Sequence, residues 1–536
     1  MRAISLVGIA VLLGIAWLLS NNRRKIRPRV LLWGLGLQLV FAAAILPRND
    51  LSFAGMFVLG CLVLVQTFQR EVEGDRPGSM SLARVAAVVA GATLAGAVLV
   101  LLAGLRLPRI ALGLSAVALA AALAARRRDP ARWAFAGAVV SGFAALYAAD
   151  VRGHEVFRYL SDRVAGFLAL TDLGTSFLFG KIVDPTYFDT FGFQFAFKVL
   201  PTIIFFAAFM AILYHLGIMQ FLVEILARFM RWTMGTSGAE TLSCSANVFV
   251  GQTEAPLLIK PFLDGMTLSE LLTVMVGGFA TIAGGVLAGY IAMGIDPGHL
   301  IAASVMSAPA ALVMGKMIFP ETRHSETAGD VSVPRERTSV NLLDAASRGV
   351  TDGLKLAANV GAMLIAFIAL IGLLDLVLNF LDRLVDGTLL GGAYVQATSD
   401  VGFSPVKGEY AGIFPGSLRT LFGNLLRPLA FVMGVPWDSA GAVGNLLGIK
   451  VALNEFVAYG TLHEHLRAGD LPERAVVIAT YALCGFANFS SIGIQLGGIG
   501  ALAPGRRSDL ARVGLKAMVG GALASWLTAT IAGLLI

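Results

Sequence analysis

Two carboxylates stand in apolar stretches where a charge is hard to keep. Glu254 closes the string Gly251-Gln252-Thr253-Glu254, and Glu455 sits in Asn454-Glu455-Phe456. At bilayer depth a carboxylate costs a few kcal/mol on insertion scales, so by default it marks a substrate or ion pathway. Gln252 and Thr253 add uncharged donors and acceptors, suited to the edge of a heteroaromatic, amide-like ligand. A carboxylate accepts from two hydroxyls at once, so Glu455 suits a vicinal diol such as a ribose. Asn488 and Ser491, in the break Gly485-Phe486-Ala487-Asn488-Phe489-Ser490-Ser491, are three apart and share a helical face if the helix runs through. Each residue also has a structural alternative: an ion pair with Lys260 for Glu254 or with Lys450 for Glu455, interhelical hydrogen bonding for Asn488 and Ser491, and packing for Phe279, Phe486 and Phe489.

A coupling cation would need hard oxygen ligands. Asn247 and Thr281 supply side-chain oxygens close to Gly251 and the Gly284-Gly285 break, and unwound backbone there supplies carbonyls. One positive charge moved inward gains ~2.3 kcal/mol per 100 mV, and a tenfold gradient adds about 1.4 kcal/mol. No Gly-Lys phosphate loop, His-Glu-x-x-His or Gly-x-Ser-x-Gly motif occurs, so the expectation is a protein with no catalytic residue and no ATPase of its own. Cys61, Cys244 and Cys484 form neither a disulfide framework nor a Cys-x-x-Cys site. His463 and His465, two apart, point to different helix faces and do not make a metal pair.

The elements that must position these groups follow from composition. The 536 residues are 57% hydrophobic and 14% charged, against roughly 25% charged in soluble proteins, which selects an all-α polytopic membrane protein. The excess of 41 basic over 34 acidic residues, net +7, calls for no nucleic acid, because membrane proteins place Lys and Arg in cytoplasmic loops. Residues 1–20 resemble a signal peptide, but the basic cluster Arg23, Arg24, Lys25, Arg27 and Arg29 follows the apolar run, which favours an uncleaved helix that starts outside. Further spans are expected at about 30–46, 51–69, 85–105, 110–125 and 133–149, then at 198–216, 356–380 and 513–535, with 150–195 interfacial and 320–341 a solvated linker. Both termini are expected outside.

Two apolar regions, 239–265 and 416–466, are interrupted, the first at Gly251–Pro256 and the second at Gly434-Val435-Pro436-Trp437-Asp438. Each arm is too short to span, so each region reads as a re-entrant hairpin, tolerated at depth only where it is buried in protein or lines a cavity. Glu254 is followed by Gly278-Phe279-Ala280-Thr281 and Glu455 by Gly485-Phe486-Ala487-Asn488, at offsets of 201 and 207 residues. The hairpins enter from opposite sides, which is the signature of an inverted repeat, and such repeats bind substrate near the midplane where they meet.

The strings Gly251-Gln252-Thr253-Glu254-Ala255-Pro256-Leu257-Leu258-Ile259-Lys260-Pro261, Asn454-Glu455-Phe456-Val457-Ala458-Tyr459 and Ala482-Leu483-Cys484-Gly485-Phe486-Ala487-Asn488-Phe489, with Gly174-Thr175-Ser176-Phe177-Leu178-Phe179-Gly180 upstream, resemble the concentrative nucleoside transporter family. The resemblance covers about Val151 to Ile536, and the first two spans more loosely. It implies a homotrimer in which a scaffold domain carries a mobile transport domain, elevator-fashion. It also implies symport of nucleosides with Na+, or in some members H+, and no organic cofactor. Carried over residue by residue, Gln252, Thr253 and Glu254 would hold the nucleobase beside Val286, while Glu455, Asn488 and Ser491 would hold the ribose and Phe486 would line the site. The Asn247 and Thr281 side chains and the Val250 and Ile282 carbonyls would bind Na+. Retention of Asn247 and of the Gly-Gln-Thr-Glu string favours Na+ over H+.

The organisation expected is then 1–46 as the first two spans, 47–149 as an extra four-segment insertion and 150–238 as interfacial helices with a scaffold span. After these come 239–319 as transport repeat 1, 320–380 as cytoplasmic linker with a scaffold span, and 381–536 as transport repeat 2. The insertion departs from the family pattern, and its even number of segments preserves the orientation downstream. The location implied is a bacterial inner membrane, with nucleosides and lipid as partners. A proton-coupled carrier, an intramembrane enzyme and a passive channel are the competing readings.

Overall fold

The computed structural model describes residues 1–68, 150–183, 194–327, 339–392 and 414–536, with scattered positions between 136 and 147. In a bilayer the backbone must satisfy its own polar groups, so the apolar runs become helices. The chain opens with α1 (Arg2–Leu18), α2 (Pro28–Ile45) and α3 (Leu51–Phe68), followed by the short α4 (Gly153–Leu168) and α5 (Thr171–Phe179). The first repeat is α6 (Phe195–His215), α7 (Ile218–Met234), α8 (Gly238–Ala246), a 3₁₀ segment (Ala255–Phe262), α9 (Leu268–Ala280), α10 (Gly284–Ala292) and α11 (Pro297–Ile318). The second follows the same order: α12 (Leu342–Asp382), α13 (Leu418–Val432), α14 (Trp437–Ala452), α15 (Glu455–Ala468), α16 (Glu473–Leu483), α17 (Phe489–Leu502) and α18 (Arg507–Leu535). The repeat therefore begins one long helix and one amphipathic helix before each hairpin. The expected spans at 85–105 and 110–125, and most of 133–149, lie outside the described residues, as does 328–338 of the linker.

The two sets are inverted. At one end of the bundle, here the basic face, Asn21 N donates to Ile318 O (2.9 Å) and Arg506 Nη1 donates to Asp264 O and Met266 O (2.7 Å each). That face therefore carries the start of α9, the end of α11 and the start of α18. At the far face Arg474 donates to Gly434 O (2.8 Å) and Ile536 O (2.7 Å), and Arg48 pairs with Glu473 (3.5 Å). The start of α16 and the end of α18 lie there, so α9 and α16 run inward from opposite faces. α6 and α12 pack antiparallel through small residues: a Cβ at Gly349 would lie 2.6 Å from Ala208 Cα, and one at Gly353 would lie 2.8 Å from Ile204 Cα.

Burial separates core from edge. The most apolar window of α11 is 89% buried and that of α6 only 17%, so α11 lies in the middle of the bundle and the α6–α12 pair at its rim. α1 and α2 pack on α11 and α18, away from that pair.

The second hairpin differs from the sequence expectation in one respect. The Gly434–Asp438 interruption is a turn at the far face, where Gly434 (φ 105°) joins α13 to α14 under the Arg474 clamp. The break within the membrane is at Leu453-Asn454, between α14 and α15, where Asn454 Oδ1 caps α15 by accepting from Val457 N (2.9 Å). Gly and Pro mark the surface turn, whereas the tip carries neither and is made by packing and by the Asn454 cap. Capping boxes Ser237/Glu240 and Thr267/Glu270 start α8 and α9, so these two buried glutamates are structural.

Candidate functional site

Both helix pairs that carry the Gly-Phe-Ala motifs are broken at the same level. α9 ends at Ala280, and Thr281–Ala283 are extended before α10; α16 ends at Leu483, and Cys484–Asn488 are non-helical before α17. The breaks touch, because Phe486 N donates to Thr281 O (3.2 Å). Gly485 (φ 150°) permits the approach, since a Cβ there would lie 2.7 Å from Phe279 O.

Around this crossing the hairpin tips bring their polar residues together. Glu455, at the first turn of α15, accepts from Tyr290 OH at Oε1 (3.1 Å) and from Asn488 Nδ2 at Oε2 (3.2 Å). Asn488 also caps α17, its Oδ1 accepting from Ser491 N (2.8 Å) and Ser490 Oγ (2.7 Å). The helix does not continue through the motif: Asn488 has extended backbone (φ −142°, ψ 163°), so capping, not a shared helical face, couples it to Ser491. Ser491 Oγ accepts from Gln252 Nε2 (3.2 Å), which ties hairpin 1 to the second broken helix.

Neither carboxylate is neutralised by the lysine that sequence spacing offered. Lys450 is fully buried and donates instead to Ala482 O (2.8 Å), and no ion pair joins Glu254 to Lys260 among the described residues. Glu254 Oε2 accepts from Gly251 N (3.2 Å). Its side chain is exposed while Glu455, Gln252, Asn488 and Ser491 are buried. Thr253 is half-buried and packs against Gly498, where a Cβ would lie 2.8 Å from Thr253 Cγ2. Val286 and Phe486 are buried at the same level, Phe279 is core, and Phe489 is 56% exposed at the start of α17.

Two participants were not singled out from the sequence. Tyr290 is one turn after Val286 on α10, and its ring packs at a tilt against Tyr459 (4.3 Å between centroids) and Phe456 (4.9 Å). Gln495 Nε2 donates to Gln252 Oε1 (3.0 Å) and Met275 O (3.2 Å), which orients the Gln252 amide. A lone amide in an apolar helix is the signal that would have found Gln495.

The four candidate cation ligands lie on two adjoining non-helical stretches. Asn247 follows the end of α8, and a Cβ at Gly277 would lie 3.3 Å from its Nδ2, which places Asn247 one turn from Thr281. A Cβ at Gly251 would meet Ala283 Cβ at 3.3 Å, so Val250 and Ile282 are on abutting strands of backbone. Asn247 Nδ2 donates to Ser243 O (3.0 Å), whereas its buried Oδ1 has no hydrogen-bond partner among the described residues. An oxygen left without a donor at full burial is costly, and it suits a cation. Thr281 Oγ1, which donates to Gly277 O (2.9 Å), has its lone pairs free for the same role.

The chain is similar in sequence and in fold to known transporters. Family models described as "Na+ dependent nucleoside transporter N-terminus", "Nucleoside recognition" and "Na+ dependent nucleoside transporter C-terminus" match residues 7–49, 196–296 and 299–533. An uncharacterized transporter of Haemophilus influenzae is 42% identical over 403 residues, 74% of this chain and 90% of that protein. Sodium/nucleoside cotransporter 1 of Rattus norvegicus is 43% identical over 397 residues, 72% of this chain and 56% of that protein. The solved structure of CNTnw in an inward-facing substrate-bound state superposes with a TM-score of 0.72 at 32% identity, covering 100% of this chain and 98% of that one. Variants of CNTnw in outward-facing and intermediate states superpose with TM-scores of 0.71 each.

Proposed function

Because the chain belongs to the sodium-dependent, concentrative nucleoside transporter family, we propose that its crossed breaks bind a nucleoside and Na+ together and carry both across the membrane. It is a secondary active transporter, not an enzyme, and inward Na+ movement drives nucleoside uptake. The observation that carries the residue roles is the carboxylate of Glu455, buried and held by hydrogen-bond donors, with no ion pair among the described residues.

A carboxylate offers about four acceptor sites. Tyr290 and Asn488 use one on each oxygen, which leaves about two for the 2′- and 3′-hydroxyls of a ribose. Asn488 and Ser491 extend the sugar site, and Phe486 lines it. Gln252, Thr253 and Glu254 face the base beside Val286, with Glu254 as the open, accessible acceptor. Asn247, Thr281 and the Val250 and Ile282 carbonyls take Na+, whose charge draws on the membrane potential at ~2.3 kcal/mol per 100 mV. All its ligands are neutral oxygens, a set that lets a monovalent ion enter and leave.

The tips of both hairpins reach the site, one hairpin based at each face, so a rigid movement of this block exposes the site to alternate sides. The α6–α12 pair at the rim is the scaffold. Its apolar surface, with Ile365 76% and Phe380 67% exposed, supports assembly as a homotrimer within lipid. The clustering of Arg and Lys at the basic face supports placing that face in the cytoplasm of a bacterium, in the inner membrane, with both termini outside. The 47–149 insertion carries almost no polar residues within its apolar segments, which supports a peripheral role for it.

Uptake of labelled uridine into proteoliposomes with imposed Na+ or H+ gradients tests the reading. Accumulation that follows the Na+ gradient at fixed pH is the expected result. Uptake that follows only the pH gradient would instead assign a proton-coupled carrier, and equilibration without accumulation a channel.

A further inference from the structure

The basic face holds a polar cavity that shares no lining residue with the nucleoside site, although Glu240 in its wall starts the helix α8 that Asn247 ends. Its volume is about 270 Å³, and it is walled by the loop between α1 and α2, the turn between α7 and α8, the end of α11 and the start of the linker. Four cations line it, Lys25, Arg27, Lys316 and Arg323, against two carboxylates, Glu240 and Glu321, a balance of +2.

The charges are not equivalent. Lys316 is committed: it pairs with Glu240 (2.7 Å) and Glu321 (3.4 Å) and donates to Ser269 Oγ (2.9 Å). Lys25, Arg27 and Arg323 are exposed, and their side chains make no ion pair among the described residues. The floor of the cavity thus carries two carboxylates against one ammonium, while its walls present one ammonium and two guanidinium groups without an ion-pair partner among the described residues.

The walls are also fixed. Arg29, two residues beyond Arg27, donates to Thr233 O (2.9 Å) and Trp232 O (2.7 Å), and Asn21 holds the other end of the loop on Ile318 O. The linker is pinned opposite them by Ser325 and Thr327, whose hydroxyls donate to Glu270 Oε1 (2.5 and 2.6 Å). Like charges held together on rigid backbone repel unless an anion joins them. A tetrahedral oxyanion of charge about −2 matches both the balance and the guanidinium geometry.

We propose that this cavity binds the phosphate group of a phosphorylated ligand between Lys25 and Arg27 of the first basic loop and Arg323 of the linker. The phosphate belongs either to an anionic lipid headgroup or to a free phosphate ester of the same compartment. Occupancy clips the linker that leads into α12 onto the first two helices, independently of whether the transported solute is a nucleoside.

The test uses the full chain in phosphatidylcholine nanodiscs and reads the thermal unfolding midpoint. Glycerol 3-phosphate is titrated in one arm, and phosphatidylglycerol is added to the discs in increasing proportion in the other. A saturable rise in either arm supports the site, and the responding arm identifies the source. Arg27→Gln with Arg323→Gln should raise the half-saturating concentration at least about tenfold, and Arg512→Gln, on the same face outside the cavity, should leave it unchanged. If the double variant fails to fold, the single variants Arg27→Gln and Arg323→Gln carry the comparison. No saturable rise in either arm, or an equal shift in Arg512→Gln, overturns the proposal.

Discussion

Replacing Glu455 by Gln keeps size and shape but removes the charge that two protein donors and the proposed ribose share. In the structure each carboxylate oxygen already accepts one bond, from Tyr290 OH at 3.1 Å and from Asn488 Nδ2 at 3.2 Å. An amide has one oxygen and one donor group. Its NH₂ cannot face the Asn488 NH₂, so the oxygen turns to Asn488 and the nitrogen to Tyr290, whose hydroxyl then accepts. The architecture survives with neutral bonds. The ribose, however, loses a charged acceptor at both hydroxyls. A hydrogen bond to a charged group contributes about 1.5–3 kcal/mol and a neutral one about 0.5–1.5, so each hydroxyl loses about 1–1.5. Two hydroxyls together lose about 2–3 kcal/mol, or roughly 30- to 150-fold in Kd. Calorimetric titration of uridine and of 2′,3′-dideoxyuridine at saturating Na+ separates contact from architecture. The dideoxy compound should bind the native protein weakly already and lose less than about threefold on substitution. An equal large loss for both ligands would show that Glu455 supports the fold and does not read the diol. Unchanged uridine affinity would remove Glu455 from the site.

Three further outcomes follow from named contacts. Asn247→Ala deletes the unpartnered buried oxygen and is expected to raise the Na+ concentration for half-maximal uptake about tenfold, with nucleoside affinity restored at saturating Na+; an unchanged Na+ dependence contradicts the cation assignment. Gly278→Ala would place a Cβ 2.8 Å from Gln495 Nε2 and 2.9 Å from Gln252 Cβ, an overpacking of about 1–3 kcal/mol that should weaken nucleoside binding roughly tenfold in an equilibrium binding assay; full affinity would place the amide pair outside the base pocket. Arg506→Gln frees the carbonyls of Leu263, Asp264 and Met266 at the base of hairpin 1. It should lower stability by about 2 kcal/mol in a detergent unfolding titration while leaving the uridine Kd within about threefold.

Much of the architecture is legible in one dimension because a bilayer turns composition into geometry. Apolar runs that must satisfy their own backbone become helices, and flanking Arg and Lys orient them, so α1, α2, α6, α12 and α18 fall where hydropathy puts them. The paired motifs at Glu254 and Glu455 were equally visible, because acidic side chains in apolar strings need a reason to be there. What no string of residues contains is the partner across the bundle. Lys450 lies five residues before Glu455 and yet turns to Ala482 O, while the groups that hold the carboxylate come from Tyr290 and Asn488, 165 and 33 residues away. The hairpin tip at Leu453-Asn454 lacks the Gly and Pro that mark the surface turn at Gly434, so residue type points to the turn and only packing against the opposite repeat reveals the tip. Likewise the cations at Lys25, Arg27 and Arg323 are ordinary solvated charges until three loops, distant along the chain, close around one cavity. Local sequence decides which stretches enter the membrane and which groups are too expensive to be there by accident; the long-range contacts of the inverted repeat decide which of those groups meet.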